Sequence, residues 1–139
     1  MRFHLGTFLL GILFVATPLA VAVGAFDAED VEIEVLTGIE YRRGRALPSE
    51  VTELNGKEVQ IEGYMALGTI EGATVFELVP EECECGRSKV QHFIEVTLLN
   101  GVVTYEPGRI KLTGKLDIGE KEEDGFVVSL YRLEVEQYP

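Results

Sequence analysis

Apolar and polar residues alternate along most of the chain beyond Lys57 with the two-residue period of a β-strand. The first such stretch has Val59, Ile61, Gly63 and Met65 on one face, and Glu58, Gln60 and Glu62 on the other. Further strands are predicted at 74–79, 90–98, 102–105, 110–118 and 126–135. The pattern therefore predicts five or six short antiparallel strands.

Gly-containing turns separate these strands. Asn100-Gly101 is the strongest hairpin signal in the chain, and Asp124-Gly125 is a second one. The apolar phase of the last strand slips at 129–132, which predicts a β-bulge. Gly63 and Gly114 lie within strands, at positions where a small barrel bends sharply. The fold class predicted is all-β, a small antiparallel OB-like Greek-key barrel.

The chain has 139 residues, enough for one such domain. We assign 1–25 to a signal peptide or N-terminal membrane anchor helix, 26–46 to an irregular linker, and 47–139 to the OB-like barrel. Within the linker, 31–35 alternates and is compatible with an edge strand. Ser49 is expected to cap a single helical turn that ends before Asn55.

The N-terminal segment has the order of a secretory signal peptide. Arg2 precedes an apolar run, Leu5–Ala25, which contains no charged residue. Small residues make cleavage acceptable after Ala22 or after Ala25, and the site after Ala25 is preferred because a polar segment follows it. The alternative is an uncleaved anchor, because these 21 residues are long enough to cross a bilayer. No cysteine lies near the cleavage region, which excludes a lipid-anchored lipoprotein.

Both alternatives place the domain outside the cytoplasm, either periplasmic or secreted, or anchored to the inner membrane by the N-terminal helix. Positive charge precedes the apolar run and acidic residues follow it, an arrangement that favours translocation of the rest of the chain. The leader therefore predicts the compartment, although it leaves cleavage open.

The charge balance excludes one class of partner. Arg2 is the only Lys or Arg of the leader, so 11 of the 12 basic residues remain beside 24 acidic ones, a formal charge of −13. A domain this acidic repels phosphate backbones, and nucleic acid is not expected as a partner. The only basic cluster, 42–45, is interpreted as a solvated loop that balances nearby acids.

Three motifs resemble a bacterial family of small exported proteins of unknown function, the domain of unknown function 3299. They are Val59-x-Ile61-x-Gly63-Tyr64-Met65, Phe76-x-Leu78-Val79-Pro80 with Cys83 shortly after, and Gly114-x-Leu116. The resemblance covers about 47–135 and implies an extracytoplasmic, compact β-domain. It implies no reaction, and the family's proline-rich stretch after the cysteine is replaced here by 84–89.

Cys83 and Cys85 form the only candidate site, with His92 seven residues further on. In an oxidising compartment a disulfide is the leading interpretation, although residues two apart pair only if the loop bends. Alternatively, Cys83, Cys85 and His92 bind zinc or copper, with an acid at Glu81, Glu82 or Glu84 as fourth ligand. Free thiols are the third alternative.

His92 shares its predicted apolar face with Val90 and Ile94, a position typical of a hydrogen-bonded core histidine. No catalytic residue and no other cofactor is predicted. Two hypotheses follow. The first is a non-enzymatic extracytoplasmic module that binds a protein or a small ligand. The second is a metal-handling or thiol-redox protein that uses Cys83, Cys85 and His92.

Overall fold

The computed structural model describes residues 27–82, 89–136 and 138. The leader, Cys83 and Cys85 therefore lie outside the described residues. Within the described part, the elements in chain order are β1 (Glu29–Val31), α1 (Ile33–Thr37), α2 (Ser49–Thr52), β2 (Glu58–Met65), β3 (Val75–Val79), β4 (Ile94–Leu98), β5 (Arg109–Glu123) and β6 (Phe126–Val135). None of the helices in these residues has the length and hydropathy to span a bilayer.

Five of the strands close into a ring. β2 pairs with β3, β3 with β4, β4 with β6, β6 with β5, and β5 returns to β2. This is the Greek-key ring of an OB-like barrel, so the predicted fold class is confirmed. The sheet is mixed rather than purely antiparallel, because β4 runs parallel to β6 and β1 runs parallel to β2.

Apolar and polar residues alternate along β5 and β2, and the apolar ones form part of the core, as the sequence predicts. On β5, Ile110, Leu112, Gly114 and Leu116 are buried, while the residues at 111, 113 and 115 between them are exposed. Val59 and Ile61 are fully buried on the neighbouring strand β2, where Ile61 pairs directly with Leu112. Removing these aliphatic side chains from water is the main force that closes the barrel.

The two glycines predicted within strands lie where backbones approach each other closely. A Cβ at Gly63 would lie 2.9 Å from the carbonyl oxygen of Val79. A Cβ at Gly114 would overlap the backbone carbonyl of Glu134 on β6. Any larger residue would push the neighbouring strands apart, so both positions require glycine.

The segment predicted as an irregular linker contains two elements that pack on the barrel. β1 extends the sheet beside β2, and α1 begins at Ile33, where the sequence suggested an edge strand. Ile33 and Leu36 are three residues apart, share one helical face and are buried in the main core. The helical turn at 49–52 is confirmed, but Ser49 is its first helical residue and Pro48 is the cap.

The predicted hairpin at Asn100-Gly101 is wrong, and so is the strand that was expected to return from it at 102–105. Both edges of β4 are already occupied, one by β3 and the other by β6. The chain beyond β4 therefore leaves the ring and lies against the loop after β2, where the Val103 amide donates to the Ala73 carbonyl at 2.7 Å.

The predicted third strand begins later than expected. β4 starts at Ile94, and His92 precedes it in a turn in which its amide donates to the Lys89 carbonyl at 3.0 Å. His92 is half-buried there rather than enclosed in the core. The β5–β6 register shifts between Ile118 and Lys121, opposite 129–131, so an irregularity is present where one was expected, but the extra residue lies on β5 and not on the last strand.

Candidate functional site

The outer surface of β2, β5 and β6 is covered by cross-strand pairs of opposite charge. Lys111 Nζ lies 3.0 Å from Glu62 Oε1, and Arg132 Nε lies 2.7 Å from Asp117 Oδ2. The hydrogen bond from Lys111 lowers the pKa of Glu62, and the same bond raises the pKa of Lys111. Such pairs neutralise one another in water. A depression of about 320 Å³ on this side is lined largely by these charged residues, among them Glu62 and Lys111.

The outer surface of β3 and β4 is different. Val75 lies directly opposite Thr97, and Glu77 lies directly opposite Glu95. Like charges at directly opposite positions of two strands destabilise the pairing. This side of the barrel therefore combines an exposed aliphatic residue with two adjacent carboxylates.

A cleft of about 190 Å³ opens on this surface, between the loop after β2 and the outer side of β3. Its apolar walls include Leu67, Ile70 and Val75, and its polar groups include Glu77 and Glu95. We call it the β3–β4 cleft. Ile70 is 71% exposed and Val75 is 44% exposed, so the walls are open to solvent.

Two more exposed aliphatic residues, Leu99 and Val102, lie on the neighbouring segment. The Leu98 amide donates to the Thr74 carbonyl at 2.8 Å, which holds this segment beside the loop that forms the cleft. Seven large apolar side chains are exposed among the described residues. Five of them belong to these two segments, and we call them the apolar rim: Leu67, Ile70, Val75, Leu99 and Val102.

Lys121 supplies a positive charge at the edge of the cleft. Its Nζ donates a hydrogen bond to Glu95 Oε1 at 2.9 Å. The Lys121 side chain is 38% exposed and the Glu95 side chain is 22% exposed. This hydrogen bond raises the pKa of Lys121. Lys121 lies at the register shift between β5 and β6, and its side chain reaches Glu95 of β4.

The basic cluster at 42–45 is engaged with the acidic tip of the β5–β6 hairpin. Arg43 Nη2 lies 2.6 Å from Glu122 Oε1, and Arg43 Nη1 donates to the Gly125 carbonyl at 3.1 Å. The Tyr41 hydroxyl donates to Glu120 Oε1 at 2.6 Å. Burial and this bond raise the pKa of Tyr41 to about 12. We call these contacts the hairpin clamp.

The predicted cysteine site stays a prediction, because Cys83 and Cys85 lie outside the described residues. His92 lines a separate depression beside Tyr41, where Arg42 and Lys89 are its cationic neighbours. No group of three potential metal ligands occurs among residues 27–82, 89–136 and 138. The described part therefore adds no ligand to a zinc or copper site at His92.

The pairing of Glu77 with Glu95 was not found from the sequence. Alternation does place Glu77 on the face opposite Phe76 and Leu78, which are buried. The partner of Glu77 depends on the register between β3 and β4, however, and the alternation in the sequence predicts a strand from 90 without indicating which of its residues lies opposite Glu77. No short motif marks this cleft.

The fold is similar to that of a DUF3299 family protein from Pseudomonas aeruginosa. The TM-score is 0.53 and the sequences are 16% identical, over 79% of this chain and 93% of the other. At this identity the likeness concerns the fold, and at that level it confirms the family resemblance seen in the sequence. No family model matches the sequence, and no curated protein is significantly similar to it.

Proposed function

We propose that this chain is a non-enzymatic binding module of the extracytoplasmic compartment, and that it takes a protein or small ligand at the β3–β4 cleft. The observation that carries the proposal is the concentration of exposed aliphatic residues at the apolar rim. The outer surface of β2, β5 and β6 instead carries paired charges, such as Lys111 with Glu62 and Arg132 with Asp117. Exposed apolar residues around a cleft that also holds a few polar groups are typical of a recognition site.

The position of the cleft in the fold also supports this proposal. In OB-folds, the face of the second and third barrel strands and the loop before them are the usual place for a ligand. Here the corresponding strands are β3 and β4, and the corresponding loop is 66–74. The acidic composition makes a nucleic acid a poor ligand for this face, and a protein or an uncharged or cationic small molecule a better one.

Photo-crosslinking tests the proposal in cells that export the full chain. A photoreactive residue at Ile70 should form an adduct with the ligand, whereas the same residue at Thr113, exposed on the opposite outer face, should not. Adding Val75→Lys should abolish the Ile70 adduct, because an apolar contact at residue 75 would then require removing the lysine ammonium group from water, which costs free energy.

Val75 is already exposed, so the lysine variant is expected to fold, and an unchanged melting temperature checks this. Mass spectrometry of the adduct distinguishes a polypeptide from a small molecule. Equal adducts at Ile70 and Thr113, or an Ile70 adduct that survives Val75→Lys, would overturn the proposal.

The alternative function, metal handling or thiol redox at Cys83, Cys85 and His92, is favoured by no contact among the described residues. It stays a prediction. Thiol titration of the exported protein, with melting temperature measured with and without added zinc, tests it directly.

A further inference from the structure

The depression that His92 lines is a second concave site, formed by the segment after α1 and the turn before β4. Its volume is about 610 Å³, and its described lining comes from 39–42 and 89–92. This volume lies within the range of roughly 300–1,000 Å³ of pockets that hold small molecules. None of these residues lines the β3–β4 cleft, so the two sites are separate. We call it the His92 depression.

Positive charge is concentrated at the His92 depression. Arg42 and Lys89 line it together with one carboxylate, that of Glu40, which gives the lining a net charge of +1 when His92 is counted as neutral. Neither cation forms an ion pair with a described residue, whereas Arg43, next in the chain, is paired with the β5–β6 hairpin. Salt screens charges beyond about 8 Å, so the distant acids of the chain oppose an anion here only weakly.

Gln91 brings to this depression an amide group that the fold leaves unused. The residue is only 6% exposed, and it lines the depression. Its side chain has no hydrogen bond to any described residue, although its amide atoms are not fully shielded from solvent. Buried side-chain amides normally have a hydrogen-bond partner, and an exception needs a water molecule or a ligand to complete it. The amide nitrogen can donate to an anion in the depression.

The walls beside these polar groups are apolar. Ile39, Tyr41 and Val90 line the depression and are partly buried against the main core. The Tyr41 hydroxyl donates to Glu120, whose carboxylate also accepts from the Gly44 amide, so the tyrosine ring is held in place and this carboxylate is already engaged. A ligand with a nonpolar part can therefore cover these walls while its charged group meets the cations.

We propose that the His92 depression binds a small organic anion in which a carboxylate is joined to a nonpolar body. Arg42 and Lys89 contact the carboxylate, and Gln91 donates a hydrogen bond to it. A lining with a net charge of +1 matches one carboxylate better than it matches a doubly charged phosphate. This site is additional to the β3–β4 cleft and does not depend on the function proposed there.

Hexanoate is the probe that tests this site, with hexanol and hexylamine as controls that share its carbon chain and lack its negative charge. The isotopically labelled exported protein is titrated and followed by NMR. Hexanoate should shift the side-chain amide signals of Gln91 and the backbone amides of 89–92 until they saturate. Hexanol and hexylamine should bind at least about tenfold more weakly, and hexyl phosphate should bind no more tightly than hexanoate.

Matched variants separate this site from general charge. Arg42→Gln and Lys89→Gln should each weaken hexanoate binding by about fivefold. Arg45→Gln and Lys115→Gln remove the same charges from other exposed positions that have no ion pair among the described residues, and should leave the affinity unchanged. Gln91→Leu should weaken hexanoate by about threefold without lowering the melting temperature, because the amide that it removes has no partner in the described fold.

Several outcomes would overturn the proposal. Equal binding of hexanol and hexanoate, or normal hexanoate binding when Arg42→Gln and Lys89→Gln are combined, rules out selection of an anion. Tighter binding of hexyl phosphate overturns the carboxylate. The absence of saturable shifts with hexanoate up to about 10 mM overturns the site, as do shifts confined to 66–70 in the β3–β4 cleft. A Gln91→Leu variant that loses stability and keeps its affinity shows that Gln91 has a structural role only.

Discussion

Tyr131 joins the N-terminal segment to the barrel through one hydrogen bond. Its hydroxyl donates to the Leu36 carbonyl in α1 at 2.7 Å, and the side chain is fully buried. Burial raises the pKa of Tyr131, so the hydroxyl stays protonated and remains a donor. The contact spans 95 residues of sequence, and no local pattern indicates it.

Tyr131→Phe should therefore destabilise the protein by about 1–3 kcal/mol, because the Leu36 carbonyl is left in the core without this donor. Chemical denaturation followed by circular dichroism measures the change. Tyr64→Phe is the matched control. Tyr64 is half-buried and its hydroxyl has no hydrogen bond among the described residues, so the expected change is below about 0.5 kcal/mol. Equal effects of the two variants would contradict the role given to Tyr131.

At the scale of elements, the hairpin clamp orients the longest strand pair of the barrel. β5 and β6 extend to a tip at Asp124-Gly125, as the sequence predicts, where Phe126 is 74% exposed. Arg43 and Tyr41 hold that tip against the N-terminal segment. The basic cluster and the Asp124-Gly125 turn are each visible in the sequence, and only the fold shows that the segments that contain them are partners.

Arg43→Ala should loosen the tip while leaving the barrel intact. The Arg43–Glu122 pair is exposed, and such pairs contribute less than about 1 kcal/mol to global stability. Hydrogen exchange of the Gly125 and Phe126 amides should nonetheless accelerate, because local opening near a tip is governed by few contacts. Arg45→Ala, which removes the same charge in the same loop, should not accelerate it. Unchanged exchange in Arg43→Ala would show that the clamp does not hold the tip.

β4 shows why one element was mispredicted. Asn100-Gly101 has the residues of a tight hairpin, and a strand was expected to return beside β4. Strand edges are limited, and β6 occupies the edge that the hairpin would need. The pairing of β4 with β6, which joins residues more than thirty positions apart, therefore overrides the local preference of Asn100-Gly101 for a hairpin. A single sequence does not reveal such a pairing.

For the whole molecule, the strongest prediction from the sequence is still export, and the N-terminal segment tests it. We expect the exported chain to begin at Phe26, measured by intact mass and N-terminal sequencing. Ala25→Tyr should block cleavage there, because the residue before the cut has to be small. Residue 22 lies outside the small-residue positions that define cleavage after Ala25, so Ala22→Tyr should leave that cleavage unchanged.

A chain that retains 1–25 and stays in the membrane fraction would contradict cleavage and support the anchor instead. With either result, the charge distribution around the apolar run still predicts that the barrel lies outside the cytoplasm. Export therefore matters to the proposed function more than cleavage does.

The sequence by itself determined the local features of this protein: the period of its strands, the faces that are buried, the mid-strand glycines and the overall acidity. These follow from each residue's own chemistry and its near neighbours. Only the tertiary structure decided the order in which strands pair, the register that sets Glu77 opposite Glu95, and the gathering of Leu67, Ile70 and Val75 at one cleft. Those features depend on closing a ring between distant segments, and the free energy that selects one ring comes from the whole core.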